Sequence, residues 1–216
     1  MDWLTDVIDF IQQRPERFRD LTIAHLRLSF TALAFAALLY IPLGILFSRM
    51  PRFGAQAAGI FSSIRVIPSL ALVFLFYPFL GFGQLPATVA LIVLAAPAII
   101  MNTYAGLRNV DAPVLEAARG LGMNGAQVFL RVQMPLALPV IIAGLRLAAV
   151  ELLASATLAS FVGAKSLGQY ILTGISLLDT TYLLAGGIPI VLLVLLADAI
   201  FNGVERLVTP PSTRAS

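Results

Sequence analysis

Residues 114–135 read VLEAARGLGMNGAQVFLRVQMP, a polar, glycine-punctuated segment of moderate length. An apolar run from about Pro86 to Leu107 precedes it, and another from Pro135 to Val162 follows it. Each run supplies the roughly 20 mainly apolar residues that a helix needs to cross a hydrocarbon core of about 30 Å. The segment therefore joins two membrane crossings, and there an embedded chain can meet a soluble partner.

Composition agrees. Of the 216 residues, 59% are hydrophobic and 12% charged, with a mean hydropathy of +0.94; charged residues make up about a quarter of an ordinary soluble domain. The chain reads as an all-α polytopic membrane protein. Its net charge of +3 and pI near 9.7 do not point to nucleic acid, because the basic residues are scattered and no block of them carries interleaved aromatics. Cysteine is absent and His25 is the only histidine. That excludes a disulfide framework, a thiolate nucleophile and a Cys or His metal cluster, so no metal site is expected.

The N-terminal segment, residues 1–20, begins MDWLTDVIDFIQQ, with Asp2, Asp6 and Asp9 and no basic residue before Arg14. This is the reverse of a signal peptide's basic start. Trp3, Leu4, Val7, Ile8 and Ile11 recur at helical spacing, which fits a short amphipathic helix at the membrane interface; a frayed terminus fits as well. A single transmembrane domain is expected over 21–208, with spans at about 21–49, 53–80, 86–107, 135–162 and 182–204, followed by a disordered tail, 209–216. Arg49, Pro51 and Arg52 close the first span. The second is long and contains Arg65 and Pro68, so it reads as one helix kinked near Pro68. In the loop 108–134, Asp111 is placed to cap a short helix that Gly120 and Gly122 end, and Asn124 to cap a second turn. Residues 163–179 are too polar for a crossing and suit a short re-entrant or interfacial helix.

Orientation follows from the short loops. With the N-terminus outside and the C-terminus inside, Arg49, Arg52, Arg108, Arg119, Arg131, Arg206 and Arg214 face the cytoplasm, together with the 108–134 loop. Arg14, Arg17, Arg19 and Lys165 lie outside, accompanied by five acids in the first 20 residues, and Arg27 sits just inside the first span.

Enzymatic chemistry is not evident. Gly163-Ala164-Lys165-Ser166 lacks the adjacent Gly-Lys and the earlier glycine of a phosphate-binding loop, so this chain is not expected to hydrolyse ATP. No nucleophile elbow or Ser-His-Asp set surrounds the lone histidine.

Glu116-Ala117-Ala118, three residues, Gly122, nine residues, Val132, one residue and Met134-Pro135 together resemble the EAA coupling loop of ABC importer permeases. Ile67-Pro68-Ser69-Leu70-Ala71-Leu72, the turn Gly81 to Gly83, Asn102-Thr103-Tyr104 and Ala156-Thr157-Leu158-Ala159 are similar to the betaine, carnitine and choline branch of osmoprotectant permeases. The resemblance implies the five-span, methionine-permease-like core of a type I importer in the bacterial cytoplasmic (inner) membrane. It implies ATPase coupling through Glu116, Ala117, Ala118, Gly120, Gly122, Val132 and Pro135. No cofactor would be bound by this chain; ATP and Mg would belong to separate ATPase subunits. Membrane lipid, a second permease, identical or homologous, and an extracytoplasmic substrate-binding protein would be the other partners. A methionine or other amino-acid importer is the alternative within the class. A secondary carrier or channel without ATPase is the alternative outside it.

Polar residues within spans are functional candidates. Glu151 either attracts a quaternary ammonium solute or pairs with Arg65 or Arg146. Arg65 and Pro68 mark the helix break. Asn102 and Tyr104 either line the pathway or join helices, Tyr77 offers an aromatic face to a trimethylammonium group, and Asp198 is expected to meet Arg206 or the interface. One departure stands out: where the family commonly reads Gly-Ala-Gly-Gly-Leu-Gly, this chain has Lys165 and Ser166 in place of two glycines.

Overall fold

The computed structural model describes residues 3–50 and 54–209, and nearly all of them are helical. In chain order the helices are α1 (Trp3–Gln13), α2 (Pro15–Ser48), α3 (Gly54–Ser62), α4 (Ser69–Leu80), α5 (Gln84–Arg108), α6 (Ala112–Gly120), α7 (Gly125–Val128), α8 (Met134–Ser155), α9 (Gly168–Leu177) and α10 (Thr180–Val208). A π-helical turn, Phe129–Gln133, joins α7 to α8, and a 3₁₀ stretch, Ala156–Val162, continues α8.

Four helical stretches are long and apolar enough to cross a membrane: α2, α5, the continuous run Gly125–Val162, and α10. The pair α3 and α4 makes the fifth pass. Gly54 abuts the carbonyl of Phe47 near the C-terminal end of α2, while just beyond α4 the Gly83 amide bonds to the Val162 carbonyl at 2.7 Å. Traverses therefore alternate, and the end of the bundle that holds α1, α9 and the α4–α5 turn is opposite the end that holds α6 and α7.

α5 is the core. Fourteen of its 25 residues are buried, most of them alanine, isoleucine and leucine, and it packs between α2 and α8. Small residues set those crossings. A Cβ added at Gly44 on α2 would lie 2.6 Å from Thr103 Cβ, and one at Gly144 on α8 would lie 2.6 Å from Asn102 Cβ and 2.9 Å from the Ala98 carbonyl. Close backbone approach of this kind is how helices associate in lipid, where burial of apolar surface gives little drive.

The second pass departs from the expected kinked helix. α3 has nine residues and α4 twelve, and the two arms meet at 94°. Ser63–Val66 is 3₁₀, and Ile67 is extended with ψ 122°, because the ring of Pro68 disfavours the α conformation in the residue before it. Pro68 then starts α4, accepting from the Leu72 amide at 3.2 Å. The proline thus separates two helices. Pro51 and Arg52, expected to close the first span, and Phe53, the expected start of the second, lie outside the described residues, as do Asp2 and residues 210–216 of the expected tail.

At the opposite end of the chain from that tail, α1 is helical from Trp3 to Gln13 and packs on the bundle. Val7 is buried, the Phe10 ring meets Tyr182 edge-on at 4.5 Å, and the Arg14 guanidinium donates to the Tyr182 hydroxyl at 2.7 Å. α1 is docked on α9 and α10. Among the loop caps, Asp111 occupies the N-cap position of α6 but its side chain makes no capping bond. Asn124 and Gln127 form a reciprocal capping box.

Overpacking a close crossing costs about 1–3 kcal/mol. Gly144→Leu is therefore expected to lower the thermal midpoint of the detergent-purified protein markedly. Gly187→Leu, which meets nothing within 4 Å, should leave it nearly unchanged. Equal midpoints for the two variants would contradict the α5–α8 packing.

Candidate functional site

The α6 segment ends in a Schellman motif. The Gly122 amide bonds to the Arg119 carbonyl at 2.9 Å and the Met123 amide to the Ala118 carbonyl at 3.2 Å, with Gly122 at φ +86°. Gly122 thus makes the turn, whereas Gly120 is an ordinary last residue of the helix and both glycines face open space. Glu116 and Ala117 are exposed, but Ala118 is buried against the chain's own body. The two alanines therefore do not share one outward face. Apolar side chains are exposed nearby at Val114, Leu130 and Leu121, the last at 86%.

This polar surface is tied to three crossings. Gln133 donates from Nε2 to the Leu107 carbonyl at the end of α5, at 3.0 Å. The Arg49 guanidinium, just past α2, stacks 4.4 Å from the Phe129 ring. Met134 packs with Leu107, Ala137 and Ile141, while Val132 is half-buried in the π turn and Pro135 is exposed at the start of α8. The segment is thereby in contact with α2, α5 and α8.

The polar residues of the spans divide differently from their sequence reading. Asn102 donates to the Ala98 carbonyl of its own helix at 2.8 Å and packs at Gly144, and Tyr104 is half-buried beside Gly54. Both join helices. Tyr77 is partly exposed with its ring edge-on to Phe82 at 4.7 Å. Arg65 and Pro68 are exposed at the break between α3 and α4. Glu151 is half-buried, and no ion pair joins it to Arg65 among the described residues.

Arg146 does not pair with Glu151. Its Nε lies 2.6 Å from Asp198 Oδ1 and its other nitrogens 3.3 Å from Asp198 Oδ2 and 3.4 Å from Glu205 Oε2. Asp198 thus meets Arg146, a partner its sequence reading did not name, because α8 and α10 cross at this level. A signal was present in the sequence: Asp198 is the one charged residue of the 182–204 run and Arg146 the one basic residue of the 135–162 run, and opposite charges in separate apolar runs must find each other or stay unpaired.

Comparison with known proteins completes the site. Residues 14–210 match the family model described as "Binding-protein-dependent transport system inner membrane component". The chain belongs to that family. It is 37% identical to the choline transport system permease protein OpuBB of Bacillus subtilis, over 94% of each chain. It is 35% identical to the glycine betaine/carnitine/choline transport system permease protein OpuCB of the same species, over 96% of this chain and 95% of that one. A solved structure of the MetNI methionine ABC transporter in an inward-facing conformation matches with TM-score 0.74 and 25% identity, over 87% of this chain and 94% of that one. The protein is thus a multi-pass inner-membrane subunit with the type I importer fold and not itself an enzyme. Its family implies ATP use by partner subunits and delivery by a binding protein.

Removing Arg146 strands two carboxylates, whereas removing Asp198 leaves the arginine a partner in Glu205. Arg146→Leu should therefore destabilise the purified permease more than Asp198→Leu, and the double variant should be less destabilised than the sum of the two. Additive losses would contradict the network.

Proposed function

We propose that this permease forms half of the membrane pathway of an ATP-driven importer for compatible solutes: glycine betaine, carnitine, choline or related quaternary ammonium compounds. The observation that carries the reading is near-full-length similarity to permeases named for these solutes. A second permease, identical or homologous, completes the pathway, an extracytoplasmic binding protein delivers the solute, and ATPase subunits dock from the cytoplasm.

In this reading the N-terminus is outside, the C-terminus inside, and the 108–134 loop faces the ATPases. Glu116 pairs with a basic group of the ATPase, while exposed Ala117 and Leu121 fill its groove. Ala118 and Gly122 shape the loop, and Gly120, without a side chain, lets the partner come close. Val132 and Pro135 join the loop to α8. Nucleotide-driven closure of two ATPases moves both loops, and the links at Gln133 and Arg49 carry that displacement into α5 and α2. Arg65, Pro68 and Tyr77 lie on the broken pass beside the pathway, and Glu151 supplies a negative charge for the cationic head of the solute. Asn102 and Tyr104 act through helix packing.

Glu116→Lys reverses the docking charge, and Gly122→Asp imposes strain at φ +86°. Each variant should insert into the membrane at normal levels while ATP-driven uptake of glycine betaine or choline falls to background. Unimpaired uptake in both would remove the coupling role.

A further inference from the structure

A cavity of about 480 Å³ opens at the α1 end of the bundle, between the first half of α2, the start of α5 and the α8–α9 link. Its volume falls in the usual range for small-ligand sites, roughly 300–1,000 Å³. Five basic residues populate this end of the molecule, and three of them are engaged. Arg14 donates to Tyr182, Arg17 lies 5.7 Å from the Tyr170 ring centre, and Arg19 lies 3.7 Å from Asp20. The other two, Arg27 and Lys165, have no side-chain hydrogen bond, ion pair or ring contact among the described residues, and both line the cavity.

Lys165 lies in the link between the end of α8 and α9. Its neighbour Ser166 is buried and holds the local turn together, sharing a hydrogen bond of 2.8 Å with Ser160 and accepting from the Gly168 amide at 3.1 Å. The Lys165 carbonyl is held by Gln84 Nε2 at 3.4 Å, so the backbone is fixed while the ammonium stays exposed at the cavity. Lys165 thus carries a charge that no side-chain contact among the described residues consumes.

Asp20 forms the other pole; its contact with Arg19 is an exposed pair at 3.7 Å, which leaves the carboxylate open to the cavity. It stands seven residues before Arg27 on α2, two turns along one helix face, which separates the two groups by about 10 Å along the axis. Apolar Ile23 and Leu28 line the wall between and around them. Two free cations, a carboxylate across a short apolar wall and the outward position of this end together match a zwitterion. Resting on the function proposed above, we infer that this cavity is a permease-borne recognition site for the betaine class of solute. The solute carboxylate binds Arg27 and Lys165, and its methylated ammonium lies toward Asp20. Choline, which has no carboxylate, gains nothing from the two cations.

The test uses the complete importer in proteoliposomes, supplied with saturating, solute-loaded binding protein so that the latter's affinity does not set the rate. Arg27→Gln, Lys165→Gln and the double variant are assayed with glycine betaine, carnitine and choline. The double variant should lower the maximal uptake of glycine betaine and carnitine by about tenfold, the loss of one to two charge-assisted hydrogen bonds, and leave choline uptake within about twofold. Lys165→Gln alone, at an exposed side chain without contacts, should show the same selectivity more weakly. Equal losses for all three solutes, or no loss, would overturn the inference. Equal losses that disappear in vesicles lacking zwitterionic lipid would also overturn it, assigning the cavity to a lipid headgroup. A wild-type importer that carries choline but neither zwitterion refutes the inference and leaves the functional reading standing, whereas one that carries none of the three refutes both.

Discussion

The close approach of α5 to α2 and α8 is the constraint on which the rest of the architecture depends. Within a bilayer, apolar side chains gain little by leaving lipid for protein, so helices must associate through tight van der Waals contact. Gly44 against Thr103 and Gly144 against Asn102 provide that contact on opposite neighbours of one helix. Asn102 satisfies its amide nitrogen within α5 and leaves the seam with α8 narrow. Elsewhere α8 and α10 are joined by charge, through Arg146 with Asp198 and Glu205.

That rigid centre gives the polar loop something to act on. Gln133 donates to the Leu107 carbonyl near the end of α5, Arg49 stacks on Phe129, and the π turn runs without interruption into α8. A displacement of α6 and α7 is consequently a displacement of helix ends rather than of a slack connection. The bent pair α3 and α4 is the contrasting element. Its two arms are short, and the 94° break at Pro68 leaves Arg65 and Ile67 exposed, the kind of irregular backbone that membranes tolerate beside protein or a water-filled path.

Much of this was legible in the sequence because the bilayer imposes one-dimensional rules. Run lengths gave α5, α8 and α10; a capping asparagine and the Gly122 turn marked the loop. Three-dimensional partners were harder. Proline at position 68 announced a disturbance, but whether a helix kinks or splits depends on whether the preceding residues can leave the α conformation, as Ile67 does. Arg146 found Asp198 because two helices cross at one depth, which spacing along the chain does not encode. Ala117 and Ala118 looked equivalent as small residues, yet adjacent helical positions point about 100° apart, so one is buried and the other exposed.

The central claim is that the exposed face of the 114–122 segment is where the permease meets its ATPase. Because the chain contains no cysteine, a single Leu121→Cys variant, assembled with single-cysteine ATPase variants, reports that contact by oxidative cross-linking. The account predicts a permease–ATPase cross-link from position 121 whose yield changes on nucleotide binding, and none from Phe82→Cys at the opposite end. Cross-linking from position 82 with none from position 121 would contradict it.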